Sequence, residues 1–324
     1  MYETFFYHPQ KGLNTERFTV EAMRQALADP SCVLWVDFTE IDDEDIDLLT
    51  EVFNLHPLTV EDFIMANARP KVENFKEYLF LIMFSMECPD KETDRVRTSE
   101  LDFCLGKNFL VTAHHEAMPP LAVGKERIKK QSPIIKQGTD FLLYSLLDCL
   151  VDSYFPVIDE FDSKVDEMSD ELFHNPNNET LKKIYFLKNE IMYLRRTIGP
   201  QADAMNMLAW EDFPYISQAN AVYFRNVFDN LVRLNDIVGT SRDIITGAME
   251  AYVSIVSNKL NEVMKTLTII ATLVMPPMLI ASFYGMNFKH MPELSSPYGY
   301  PAVIFVMGVS SVAMLWYFKR KKWF

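Results

Sequence analysis

The sequence predicts an α+β domain followed by helices, the last two of which cross a membrane. Three observations carry this. Residues up to about 135 mix short β-rich runs with polar helical ones, helical periodicity takes over from about Thr139, and two long uncharged runs stand at the C-terminal end. In the first part "CVLWVDF" (Cys32 to Phe38), "YLFLIMFSM" (Tyr78 to Met86) and "LDFCLGKNFLVTAH" (Leu101 to His114) fit strands, the last turning as a hairpin near Gly106. Residues 1–135 are thus expected to form an α/β domain.

Residues 136–213 read as an antiparallel pair of helices. The run "DFLLYSLLDCLVDSYFPVIDEFDSKVDEMSDELF" keeps helical spacing until "HNPNN" breaks it, and a second helix starts at about Glu179. A third helical pattern, 214–287, starts after Pro214 and meets no stop before Gly285. At 1.5 Å per residue it is on the order of 100 Å long, and such a helix needs neighbours along its whole length. No internal repeat or low-complexity tract interrupts the chain.

Thr266 to Gly285 holds twenty residues without a charge, about 30 Å of helix, and Tyr300 to Phe318 holds nineteen more. The spans are therefore placed at about 266–285 and 300–318, joined by a short external loop over 288–299 and followed by a basic tail, 319–324. Lys319, Arg320, Lys321 and Lys322 hold that tail on the cytoplasmic side, with Lys259 and Lys265 flanking the first span on the same side. The start, "MYETFFYHPQ", has no basic segment leading into an apolar one, so both termini are expected to be cytoplasmic.

Composition narrows the function. The 324 residues carry 45 acidic and 31 basic side chains, a net charge of -14. That balance argues against nucleic acid, whose phosphates need Lys and Arg, and favours a divalent cation as partner. Cys32, Cys88, Cys104 and Cys149 lie far apart and read as buried thiols. The acidic runs "EIDDEDID" and "DEFDSKVDEMSDE" read as solvated helix faces. No nucleotide-binding loop and no catalytic constellation stand out, so the chain is not expected to be an enzyme. His114, His115 and Glu116 invite a metal reading, but neighbouring strand residues point to opposite faces, which argues against it.

The first span is not uniform. A heptad-like stripe runs Ser254, Ser257, Asn261, Met264, Thr268, Ala271, Met275, Met278 and Ser282, whereas other faces present Leu267, Ile270, Leu273, Val274 and Ile280. One face is small, polar or thioether. That face serves equally as a seam for helix packing or as the lining of a pore, and periodicity leaves both open. Gly285 and Asn287 taken alone are ordinary residues of a helix C-terminal turn.

Tyr284-Gly285-Met286-Asn287 at the end of the penultimate span, followed by "MPEL" and a short last span with a Lys-rich tail, resembles the CorA family of magnesium transporters. The resemblance extends to "SNKLNEVMKTLTIIATLVMPP", to "HPLTVEDF" (His56 to Phe63) and to "RPKVE" (Arg69 to Glu73). It implies a funnel-shaped homopentamer in a cell's inner (plasma) membrane, each subunit contributing a cytoplasmic domain, two helices outside and one long stalk helix. It also implies passive influx of Mg2+, with Co2+ and Ni2+ as further cargo, through a filter of Gly285, Met286 and Asn287. Asn261, Met264, Leu267, Met275 and Met278 would line the pore, with Met264 and Leu267 as an apolar gate.

Neutral oxygens suit a hydrated magnesium ion, which sheds its water reluctantly. Pro276 and Pro277 each remove a backbone donor and favour a bend. Glu293 of "MPEL" would attract cations. The resemblance further implies an intracellular magnesium site that holds the funnel closed. The stalk position that is acidic in such relatives is Asn226 here, so the regulatory site is expected to shift toward Asp229, with Glu250 lower on the stalk and a partner among Asp90, Glu92 and Asp94. A zinc transporter of the same superfamily and a non-conducting metal sensor anchored in the membrane remain as alternatives.

Overall fold

The computed structural model describes residues 1–65, 69–87, 95–130, 133–174, 176–287, 289 and 291–323. Its elements run β1 (Tyr2–His8), β2 (Gly12–Asn14), α1 (Val20–Ala28), β3 (Val33–Thr39), α2 (Asp43–Glu51), α3 (Pro57–Met65), β4 (Lys71–Asn74), β5 (Leu79–Glu87), β6 (Arg97–Leu105) and β7 (Phe109–His114). Helices then take over as α4 (Pro119–Lys130), α5 (Pro133–Lys136), α6 (Thr139–Asp152), α7 (Tyr154–His174), α8 (Asn178–Trp210), α9 (Ala221–Tyr284) and α10 (Gly299–Arg320). Met1–Ala248 and Met249–Phe324 form two compact units, and α9 belongs to both.

The first unit is built on one seven-stranded sheet in the order β2-β1-β3-β7-β6-β5-β4. Among the described residues only β3 and β7 pair in parallel, with Trp35 opposite Leu110 and Asp37 opposite Thr112; the other pairs are antiparallel. Being central and covered on both faces, β3 reads as an almost unbroken apolar run rather than an alternating one. On one face Val36, Phe38, Phe80 and Val111 pack with Met23 of α1, Leu49 of α2 and Phe63 of α3. Capping boxes start α2, closed by Asp42 and Asp45, and α8, closed by Asn177 and Thr180, whereas α6 and α10 start without a side-chain cap.

The other face carries a buried polar chain. Trp35 Nε1 donates to Thr112 Oγ1 at 3.0 Å, and the Thr112 hydroxyl in turn donates to Asp37 Oδ1. Asp37 Oδ2 lies 2.5 Å from Lys125 Nζ of α4 and 3.4 Å from His114 Nε2, and Lys125 also reaches Glu3 at 2.7 Å. Burial alone would raise the Asp37 pKa, but the His114 hydrogen bond and the Lys125 ammonium outweigh it, so the carboxyl titrates below the usual range. A second knot joins sheet to helices: Gln201 Oε1 of α8 accepts from Phe84 N of β5 at 2.9 Å, and the Tyr154 hydroxyl of α7 lies 2.9 Å from the same oxygen.

The structure departs from the sequence reading in places that have local causes. The single helix expected from Asp140 to Phe173 is two helices. The Ser153 N–H falls back on the Cys149 and Leu150 carbonyls, and Pro156 has no N–H to offer the Asp152 carbonyl. The long helix begins at Ala221, not just after Pro214. The intervening turns are pinned to the sheet unit, Ser217 N by Asp140 Oδ2 at 2.9 Å and the Tyr215 hydroxyl by the Lys76 carbonyl at 2.6 Å. The hairpin at Gly106 joins β6 to β7, as the sequence indicates. Strands β1, β2 and β4 were not read at all, because the alternation is short or broken by aromatic residues on both faces.

Among the described residues, three helical stretches are long and apolar enough to cross a membrane: the Thr139–His174 stretch, α9 and α10. They differ in what covers them. The apolar window of the first is 61% buried within the protein, against 6% for each of the others. The first is therefore core, whereas α9 and α10 present apolar surface that must be removed from water by something else.

Lys125→Met should destabilise the first unit by about 3–5 kcal/mol, since it leaves Asp37 charged and buried without its ammonium. Chemical denaturation followed by tryptophan fluorescence checks this through Trp35. The sign with pH follows from the lowered Asp37 pKa. In the parent its contribution is present above the usual aspartate range and is lost as pH falls through the lower folded value. In the variant that acid-dependent loss is expected to shrink.

Candidate functional site

The lower part of α9 is a packed helix. Phe224, Val227, Leu231, Leu234, Val238 and Ile245 are buried at alternating spacings of three and four, or seven, residues. The neighbours are the helices of the same unit: the Tyr223 ring meets Tyr144 of α6 tilted and the Phe224 ring meets it edge-on, Ser241 Oγ donates to Asp162 Oδ1 of α7 at 2.8 Å, and Arg225 Nε donates to the Ala209 carbonyl of α8.

In the second unit the burial thins to one face. Ile269 is buried, and Thr272, Leu273, Pro276, Pro277 and Ile280 are half-buried. Lys265 Nζ donates to the Lys322 carbonyl at 3.3 Å, and Phe318 packs on Trp323. Asn261, Met264, Thr268, Ala271, Met275, Met278 and Ser282 are all exposed. At about 100° per residue this stripe lies roughly 130° round the helix from Ile269. The polar and thioether face thus points away from the face that packs within this unit. Leu267, at 57% exposure, and Ile270, at 56%, are as open as Met264, at 58%. Exposure in one chain therefore does not separate a pore face from a lipid face.

Hydroxyls on this stretch are already committed to the helix. Thr266, Thr268 and Thr272 donate to the carbonyls of Glu262, Met264 and Thr268 at 2.9, 2.7 and 2.7 Å. The exposed Thr268 oxygen is left with acceptor capacity, which suits a ligand that donates, as the water shell of a cation does. The helix continues unbroken through Pro276 and Pro277 to Tyr284.

It ends at the candidate filter. Gly285 N donates to the Ala281 carbonyl at 2.9 Å and Met286 N to the Phe283 carbonyl at 3.3 Å, after which Asn287 is non-helical and exposed. Among the described residues only Gly12 and Gly138 are glycines with positive φ. Gly285 is therefore not a left-handed helix cap, and the ordinary explanation of a glycine at a helix end does not apply.

Beyond it, Pro292–Ser295 forms a short 3-10 turn, with Glu293 exposed. α10 begins at Gly299, so the connecting loop ends one residue before the expected boundary. A Cβ at Gly299 would stand 2.1 Å from the Glu293 carbonyl oxygen, so only glycine lets the loop close onto the start of α10. No sequence pattern signals this, because the approach comes from a residue on the turn before it.

Asp229 is exposed on α9 in the first unit, as is Asn226, and Glu250 is exposed in the second. Neither acid has an ion pair or side-chain hydrogen bond among the described residues. Asp90, Glu92 and Asp94, and Cys88, lie outside the described residues. The imidazoles of His114 and His115 part company: His114 Nδ1 meets the Glu116 carbonyl at 2.6 Å, and His115 Nε2 meets the Phe63 carbonyl at 3.0 Å.

Residues 31–320 match the family described as CorA-like Mg2+ transporter protein. The cobalt/magnesium transport protein CorA of Thermotoga maritima is 40% identical over 297 residues, covering 91% of this chain and 84% of that protein. A putative metal ion transporter of Bacillus subtilis, YfjQ, is 34% identical over 290 residues, covering 90% and 89%. The complete structure of the CorA magnesium transporter from Methanocaldococcus jannaschii shares the fold. It has a TM-score of 0.86 at 22% identity and covers 100% of this chain and 99% of that one. A signature placed where α9 ends, a match along most of the chain and a relative at this identity agree: the chain belongs to the CorA-like Mg2+ transporters, a family of metal ion transporters and not of enzymes.

Proposed function

We propose that this chain is one subunit of a homopentameric channel for hydrated divalent cations, carrying Mg2+ and, as the name of the Thermotoga relative supports, Co2+, with Ni2+ as further cargo. The carrying observation is the stripe of α9 that faces away from its own unit's packed face and ends at Gly285-Met286-Asn287. One copy of such a stripe encloses nothing; several copies around an axis make a lined path. Asn287 side-chain oxygens and the Gly285 carbonyl would accept hydrogen bonds from the ion's water at the outer mouth, beside Met286. Met278, Met275, Leu267, Met264 and Asn261 would line the path inward, with Met264 and Leu267 as the constriction that closes by excluding water.

Both termini are placed in the cytoplasm, with Lys319, Arg320, Lys321 and Lys322 at the inner interface of the plasma membrane. An inside-negative potential contributes about 2.3 kcal/mol per charge per 100 mV, hence about 4.6 for a dication, so influx needs no nucleotide. Glu293 adds a negative charge at the entrance. Intracellular magnesium would favour the closed state by binding between cytoplasmic domains, and Asp229 offers an exposed carboxylate for it, Asn226 having none, with Glu250 a separate exposed acid lower on the stalk.

Two outcomes test this. Proteoliposomes loaded with a magnesium indicator should show influx under an inside-negative potential, and Asn287→Ala should remove most of it while the oligomer persists. Influx unchanged in that variant refutes the filter, and none in the parent at low internal magnesium favours the sensor reading. Cobalt, nickel and zinc competition in the same assay ranks the cargo. Separately, magnesium should protect the parent from limited proteolysis, and Asp229→Ala should raise the concentration needed; an unchanged protection curve removes Asp229 from regulation.

A further inference from the structure

Among the described residues, three metal-ligating side chains from separate elements converge at one place far along the chain from the candidate ion path. His8 is the last residue of β1, and Asp29 and Cys32 bracket the turn between α1 and β3. One ligand atom from each lies within 4.8 Å of the others, and His8 Nε2 is 4.0 Å from Asp29 Oδ2.

Asp29 is held ready. Its Oδ1 accepts from Ser31 N at 2.9 Å and from Ser31 Oγ at 2.7 Å, which turns Oδ2 toward His8. Those hydrogen bonds keep the carboxyl below its usual titration range, so it is ionised at neutral pH. Cys32 N donates to the Asp29 carbonyl at 3.1 Å, the residue is 2% exposed, and burial with the neighbouring Asp29 carboxylate pushes the thiol pKa up, so it is the metal that must displace its proton. An imidazole nitrogen, a carboxylate oxygen and a sulfur are the mixed donors that borderline dications take, whereas magnesium and calcium ask for oxygen alone. With bonds of about 2.0–2.3 Å, tetrahedral donors stand about 3.5 Å apart, so side-chain shifts of about 1 Å close the set.

We propose that His8, Asp29 and Cys32 form a three-ligand site for a borderline transition-metal dication, zinc or cobalt, with the fourth position left to water. It shares no residue with the proposed transport path and does not rest on that reading. Protons balance as follows. His8 Nδ1 accepts from Gln10 N at 3.0 Å, so the neutral ring carries its proton on Nε2. When the metal takes Nε2 the ring keeps one proton, on Nδ1, and the exposed Gln10 N–H turns to water. The Cys32 thiol gives its proton to solvent, so one proton leaves per metal bound. The bound ion ties the end of β1 to the turn that feeds β3, clamping one side of the sheet.

Cobalt titration of the full-length protein in detergent reads this directly. A site with Cys32 gives a near-ultraviolet sulfur-to-cobalt charge-transfer band and tetrahedral visible bands at about one equivalent, and excess magnesium leaves them in place. Cobalt held by water and amide oxygens in the membrane helices gives no sulfur band, so transport sites do not interfere. Cys32→Ala and Cys32→Ser should both lose the band while keeping the parent's metal-free circular dichroism and melting, and His8→Ala should weaken cobalt by at least about ten-fold. A folded parent with no sulfur band, or a band that survives both Cys32 substitutions, overturns the proposal.

Discussion

The helix α9 carries two faces with different needs, and the rest of the structure is arranged around them. Its lower face, from Phe224 to Ile245, is covered by α6, α7 and α8. Its upper part has one half-buried face around Ile269 and leaves the remainder open, and most helical stability in proteins comes from the packing of a face rather than from the backbone. Apolar surface of this extent in α9 and α10 is stable only in lipid or against further copies of the same helices. In lipid every backbone polar group has to be met within the helix; Pro276 and Pro277 withhold the usual donors from the Thr272 and Leu273 carbonyls, although the helix continues through them, while the Thr268 and Thr272 hydroxyls turn back onto the Met264 and Thr268 carbonyls.

The sheet unit solves the opposite problem, the burial of polar groups away from water. Asp37 is fully enclosed, and it stays charged because Lys125, His114 and Thr112 meet it from α4 and β7. Gln201 and Tyr154 do the same for the backbone of β5. Each of these groups comes from a different part of the chain, so the unit is held by links that only the completed fold can make. The geometry at Gly299 has the same origin: a carbonyl from the preceding turn occupies the space a side chain would need.

Family membership and local geometry bear on different questions. The 40% identity and the match over residues 31–320 assign the chain to its family. The orientation of the α9 stripe, the absence of a left-handed cap at Gly285 and the exposed Asp229 are properties of this chain and constrain how such a protein works. A stripe of neutral oxygens and thioethers with no carboxylate along the span is what a weakly held, hydrated ion requires, since a strong grip slows release.

Much was legible in the sequence because it rests on short-range patterns. Hydropathy and length marked the two C-terminal helices, short β-rich runs marked β3, β5, β6 and β7, and Gly285-Met286-Asn287 marked the helix end. The late start of α9 at Ala221 and the strand β1 were not, since each is decided by a partner distant in sequence, Asp140 for Ser217 and β3 for β1, while β2 and β4 are too short to show a period. The convergence of His8 with Asp29 and Cys32 is of the same kind. Sequence alone determined which segments are apolar, how long they are and where the signature stands, because periodicity and composition are local. Only the tertiary structure decided which face of α9 is covered, which buried charges are paired and which distant ligands meet, because those follow from packing between elements that the linear order does not reveal.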